Sequence, residues 1–210
     1  MARPSLMDTL TRIAEPVVAS CGLEIWGIDI LQSGRTVVRI YVDVPLATPA
    51  SEEVHADASG DLVHEQGPRP SASIEQCASI SRMVGLALEV EDIFTDAYVL
   101  EVSSPGLSRR FFHLAQLSPF VGDLMELVLN ESPEAWPGRK KFTGTLVEVG
   151  EHDFTLLPAP LQTEGTPEQE PQTADAALRL TVTWEEVRKI QRVHVFIDPV
   201  KPGKKRAESK

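Results

Sequence analysis

The sequence is poor in the residues from which metal and redox sites are built: of 210 residues, two are cysteine and five are histidine. Cys21 and Cys77 each lie among apolar residues at helical positions, with no second thiol nearby, so both read as reduced core residues rather than a redox pair. His55, His64, His113, His152 and His194 are scattered, without the helical or finger-like spacing of a ligand set. No metal and no cofactor are expected. Apolar runs are short as well. None approaches the roughly 18 residues of a bilayer-crossing helix, and Met1–Thr11 lacks the apolar stretch of a signal peptide, so no membrane association and a cytoplasmic location are expected. Catalytic motifs are equally scarce. There is no glycine-rich nucleotide loop, and Val102-Ser103-Ser104-Pro105-Gly106 lacks the Gly-x-Ser-x-Gly spacing of a nucleophile elbow.

Positive charge is the remaining scarcity. Lys and Arg number 20 against 31 Asp and Glu, a net charge of −11, which argues against a broad basic face for naked RNA. Its distribution is more informative than its total. Residues 1–43 carry −1, whereas 44–72, 73–120, 121–159 and 160–177 carry −4, −3, −4 and −4. Only 178–198, at +1, and the tail 199–210, at +4, are basic.

What is present reads as two small domains. Leu6, Leu10, Ile13, Val17 and Cys21 recur at three- and four-residue spacings behind Ser5, an N-cap residue, and before Gly22. Pro16 inside this pattern predicts a kink or a shortened helix. Two strand-like runs, Leu23–Leu31 and Thr36–Asp43, flank the polar turn Gln32-Ser33-Gly34-Arg35 and predict a hairpin. Val38, Ile40 and Val42 give its second strand an apolar face, and Val37, Arg39, Tyr41 and Asp43 a mixed one. A disordered insertion is expected over residues 45–72, where apolar content falls away. Ser73 and Gln76 form a capping box ahead of Ile74, Cys77, Ile80, Val84 and Leu88, expected on one face of a second helix. A third strand, Ala97–Ser103, places Tyr98, Leu100 and Val102 on one side and ends at Ser104-Pro105-Gly106, a sequence suited to a type II turn. A short helix around His113–Leu117 closes this domain.

From Val121 the pattern changes to short strands, predicted at Asp123–Asn130, Lys141–Val149, Phe154–Leu157, Leu178–Thr183 and Lys189–Ile197. Five such strands suggest a small closed barrel, with Gly144 allowing one of them to bend. Thr183-Trp184-Glu185-Glu186 resembles the single helical turn that precedes the last strand of SH3-like barrels. The expected architecture is therefore α+β. A two-layer N-terminal domain, 1–120, carries a three-stranded sheet with helices and the insertion 45–72. An SH3-like β-barrel, 121–198, carries a second disordered insertion, 158–176, and a basic disordered tail occupies 199–210.

Candidate binding residues fall in two places. Arg109 and Arg110 directly follow the Pro105-Gly106 turn and suit either a local carboxylate or a partner's phosphate or carboxylate. Arg139, Lys140 and Lys141 form a basic cluster at a strand start, beside Trp136 in a Pro- and Glu-containing loop that suits a partner anchor. Ser103 and Ser104 have no histidine in a paired position and read as backbone-satisfying residues at a strand end. No catalytic residue is assigned.

The run Tyr98-Val99-Leu100-Glu101-Val102-Ser103-Ser104-Pro105-Gly106-Leu107-Ser108-Arg109 resembles the signature of the bacterial ribosome maturation factor RimP family. Similarity extends to Ala14-Glu15-Pro16-Val17, Gly22-Leu23-Glu24, Arg39-Ile40-Tyr41-Val42-Asp43, Val90-Glu91-Asp92 and Phe120-Val121-Gly122. The chain departs from the family pattern at Ser108 and Arg110, where Asp and Pro are usual. The resemblance implies an N-terminal α+β domain, a C-terminal SH3-like barrel and a non-enzymatic role in maturing the 30S subunit. The implied partners are the immature 30S particle, a basic small-subunit ribosomal protein of the decoding region, number twelve in its series, and 16S rRNA. A monomer is expected. Two other function classes are open to the same residues: a general RNA-binding module with an Sm-like barrel, and, more remotely, a hydrolase using Ser103 or Ser104.

Overall fold

Ser5 caps the first helix, α1 (Leu6–Ser20), by accepting from the Asp8 amide at 3.1 Å, while the Asp8 carboxylate accepts from the Ser5 amide at 3.0 Å. This reciprocal box satisfies two of the amide donors that a helix start leaves unpaired. The computed structural model describes residues 5–46, 71–159 and 179–194. The chain divides into two units, Met1–Pro119 and Phe120–Lys210. The insertion and tail segments lie outside the described residues, apart from Pro45, Leu46, Ser71, Ala72, Pro158 and Ala159.

Pro16 neither breaks nor shortens α1, which runs unbroken to Ser20. Pro16 and Arg12 both face solvent, so the Arg12 carbonyl left without a helical donor can be hydrated. The opposite face buries Leu10, Ile13, Ala14 and Val18 against the sheet. β1 (Glu24–Ser33) and β2 (Arg35–Asp43) form the antiparallel hairpin, with a bulge at Trp26, between Ile25 and Gly27. Val38, Ile40 and Val42 are fully buried, each worth roughly 1.5–3 kcal/mol of apolar transfer. α2 (Ile74–Glu91) begins with the Ser73/Gln76 box and returns the chain to β3 (Tyr98–Ser103), which pairs parallel to β2. The sheet order is β1-β2-β3, with both helices on one face.

Ile74 departs from the expected apolar face: it is 89% exposed, while Ile80, Val84 and Leu88 are buried. At 3.6 residues per turn it lies about 80° around the helix from Val84, so it points past the sheet. β4 (Arg110–Phe111) and a 3-10 turn, Leu114–Phe120, complete the path to the second unit. This 3-10 helix is the short helix expected around His113–Leu117, shifted slightly toward the C-terminus.

The second unit contains β5 (Leu124–Leu129), β6 (Lys141–Val149), β7 (Asp153–Pro158), β8 (Leu180–Thr183) and β9 (Val187–Arg192). They lie in the order β9-β5-β6-β7-β8, all neighbours antiparallel. A 3-10 turn, Trp184–Glu186, joins β8 to β9. No ring of pairings closes among the described residues: β8 pairs with β7 alone, so the expected closed barrel is an antiparallel sheet here. The 3-10 turn carries the chain from one end of the strand order towards the other, which prevents β8 and β9 from pairing as a hairpin. Gly144 belongs to both the β5 and β7 ladders, and a Cβ there would lie 2.4 Å from the Leu157 carbonyl oxygen. Phe142, Leu146, Met125, Leu127, Leu156 and Ile190 are fully buried at this unit's core.

Candidate functional site

The strand β3 ends at Ser103, and the turn that follows falls at Leu107–Ser108, just past the expected Pro105-Gly106 position. Gly106 has φ +70°, the left-handed conformation that an L side chain adopts only at a cost. This turn aims the two following arginines back at the sheet rather than outward. The Arg109 guanidinium lies 2.9 Å from Asp43 Oδ2, with side-chain exposures of 8% and 4%. Its Nε donates to the Gly106 carbonyl at 3.2 Å, and its Cζ sits 4.9 Å from the Trp26 ring centroid. Arg109 thus ties the turn to the end of β2.

Arg110 Nη1 donates to both oxygens of Asp29 at 2.8 Å, and its guanidinium lies 5.0 Å from the Phe112 ring. Trp26 Nε1 donates to the Arg110 carbonyl at 2.7 Å. Of the two readings of these arginines, local pairing is the one realised in the folded chain. Arg110 thereby ties the chain after the turn to β1.

Gln116 completes the clamp. Its Nε2 donates to the Trp26 carbonyl at 2.6 Å, and its Oε1 accepts from the Phe112 and His113 amides at 2.8 and 3.2 Å. Phe112 lies flat enough on β1 that a Cβ at Gly27 would come 2.1 Å from its ring. Sequence reading missed Asp29, Asp43, Gln116 and Gly27 as members of this cluster, because each meets its partner across 60 to 90 residues of chain. The one available signal was Asp43 on a strand, a position where a buried acid calls for a cation. Outward, the turn presents Gly106, Ser108 and Leu107, the last 53% exposed.

Ser103 and Ser104 line a groove of about 580 Å³ between α2 and β3, together with Cys77, Ile74 and Leu100. Its lining contains no histidine, lysine or arginine. Burial pushes the Cys77 thiol above its ordinary value.

In the second unit, Trp136 is half-buried, its indole edge-on to Phe142 at 5.6 Å. Its amide donates to the Pro133 carbonyl at 2.9 Å, and its carbonyl accepts from the Arg139 amide at 3.1 Å. The basic cluster does not act as one patch. Arg139 stacks 4.5 Å from the Phe142 centroid and donates to the Lys141 carbonyl, Lys140 reaches the Asn130 carbonyl at 2.8 Å, and Lys141 pairs with Glu126 at 2.9 Å. Trp136 and Arg139 both pack against the buried Phe142 ring.

A family model for the RimP N-terminal domain matches residues 13–108, from α1 through the turn at Leu107–Ser108. A protein of Nitratidesulfovibrio vulgaris named ribosome maturation factor RimP is 43% identical, over 95% of this chain and 96% of its own length. Its namesake in Desulfovibrio desulfuricans is 41% identical over 97% of this chain and 86% of its own length, and that of Lawsonia intracellularis 35% over 96% and 93%. Identity of 35 to 43% over at least 95% of the chain, together with the match of residues 13–108 to the family's N-terminal domain, makes the chain a member of the ribosome maturation factor RimP family.

Proposed function

We propose that this protein is a non-enzymatic cytoplasmic factor in small-subunit assembly, binding immature 30S particles and the basic ribosomal protein number twelve of that subunit. The observation that carries the reading is identity of 35 to 43% with proteins named ribosome maturation factor, sustained over at least 95% of the chain. We read the second unit as an SH3-like barrel, on the support of its strand order and the 3-10 turn before β9. Residues 121–177 carry eleven carboxylates against three basic residues, a balance that attracts a Lys- and Arg-rich protein and repels phosphate.

Binding selective for an immature state shifts the assembly population by its differential affinity and needs no hydrolysis. The half-buried Trp136 is the proposed anchor, with Arg139 beside it, and the exposed tip Gly106–Ser108 a second contact. The 139–141 cluster does not support the Sm-like RNA reading, since each of its cations has a local partner. The test is depletion in cells followed by gradient analysis of ribosomal particles. Immature small subunits are expected to accumulate, and the full chain is expected to co-sediment with them. An unchanged subunit profile overturns the proposal.

A further inference from the structure

The helix α1 presents Met7, Thr11, Glu15 and Ala19 at four-residue intervals, one per turn along a single face. Opposite them runs the start of β1, which among the described residues is an edge strand paired only with β2. Between the two lies a groove of about 530 Å³, closed at one end by Phe112 and His113. Its floor is apolar, from Leu23, Ile25 and Ile28, and Met7 at its rim is 39% exposed.

Charge in this groove is one-sided. Glu15 and Glu24 are in the lining, and no lysine or arginine is. Elsewhere in this unit Asp29, Asp43, Glu91 and Glu101 each hold an arginine. Among the described residues Glu15 has no ion pair, and Glu24 accepts only the Leu46 amide, at 3.3 Å. An apolar trough with two carboxylates lacking cations suits a chain that alternates aliphatic and basic side chains. It repels a phosphate backbone.

We propose that the groove between α1 and β1 docks an extended basic segment of a small-subunit ribosomal protein. Its aliphatic side chains fill the apolar floor, and its lysines or arginines reach Glu15 and Glu24. The inference rests on the partner proposed above and adds a second contact, on the first unit. Phe112 sets the end of the trough, because the bare backbone of Gly27 lets the ring lie directly on β1.

The test uses the full chain and purified ribosomal protein twelve. Binding is measured by calorimetry for the unaltered protein, for Glu15→Lys/Glu24→Lys, and for the control Glu75→Lys/Glu89→Lys on α2, with folding of each checked by circular dichroism and thermal midpoint. The groove variant is expected to bind at least tenfold more weakly, and the control within about threefold of the unaltered protein. Binding undiminished in the groove variant, or weakened equally in the control, overturns the groove while leaving the proposed partner intact. Absence of binding by the unaltered chain defeats both. A benzophenone amino acid in place of Met7, irradiated on isolated pre-30S particles, identifies the occupant. A crosslink to a basic ribosomal protein supports the proposal, and a crosslink only to rRNA or to a second copy of this chain overturns it.

Discussion

Replacing Arg109 by methionine removes the cation from a carboxylate that has almost no access to water. Asp43 is 4% exposed at its side chain, and its second oxygen, Oδ1, has no hydrogen-bond partner of its own. Removing one member of such a pair leaves an uncompensated buried charge, which costs about 3–5 kcal/mol. The lost stacking on Trp26 adds roughly 1 kcal/mol. Set against a total of about 5–15 kcal/mol for a small domain, Arg109→Met should remove a third or more of this unit's stability. By contrast, Asp43→Leu/Arg109→Met removes both charges and should fall well short of the sum of the single losses, because neither desolvation penalty remains. Trp26 is the one tryptophan of the first unit, so a Trp136→Phe/Trp184→Phe background makes its fluorescence a reporter of that unit during urea unfolding. A loss below about 1 kcal/mol for Arg109→Met, or strict additivity in the double variant, would refute the assignment of this pair as the clamp between turn and sheet.

Other expectations follow from single residues. Gly106→Ala should cost roughly 1–2 kcal/mol because a Cβ disfavours the left-handed φ of +70°, and an unchanged urea midpoint would disprove it. Gly27→Ala forces the Phe112 ring off β1 and should destabilise by about 1–3 kcal/mol, visible as altered Tyr41 ring resonances, since Tyr41 lies 5.6 Å from Phe112. Cys77 should resist alkylation at pH 7 and react only as pH rises beyond 9.0, the ordinary thiol value, because burial favours its neutral form. That preference supports folding fully below pH 9.0 and is lost as pH climbs through the higher folded value. Rapid labelling of folded Cys77 at neutral pH would contradict it.

Local features of the first unit were legible because local chemistry determines them. Both helix starts follow from Ser5 and Ser73, and the alternation Val38, Ile40, Val42 marked the buried face of β2. Legibility failed where geometry intervened. Ile74 satisfies a helical spacing yet projects beyond the sheet it was expected to cover, and Pro16 does not shorten α1, on a side of the helix that is wet. The candidate site was half-visible. Arg109 and Arg110 were identifiable as charged residues suited to either a local carboxylate or a partner, but Asp43 and Asp29 were not identifiable as what they meet, since nothing local links position 109 to position 43. The strand segments of the second unit were likewise readable one by one. Whether they close into a ring is a property of pairings between strands far apart in sequence, which hydrophobic alternation does not encode.

The parallel pairing of β2 with β3 also has a kinetic consequence. The β1–β2 hairpin closes over a few residues and can form within microseconds. β3 reaches β2 only after the whole stretch from 44 to 97 has been brought back, a closure whose entropic cost falls before the pairing returns anything. Lengthening the connection adds little, about 0.6 kcal/mol for each doubling, so extra residues between β2 and α2 cost speed modestly and stability less. If the hairpin forms before Arg109 reaches Asp43, the clamp is made late, and Arg109→Met should accelerate unfolding while leaving the refolding rate nearly untouched, which a denaturant chevron of that variant would check.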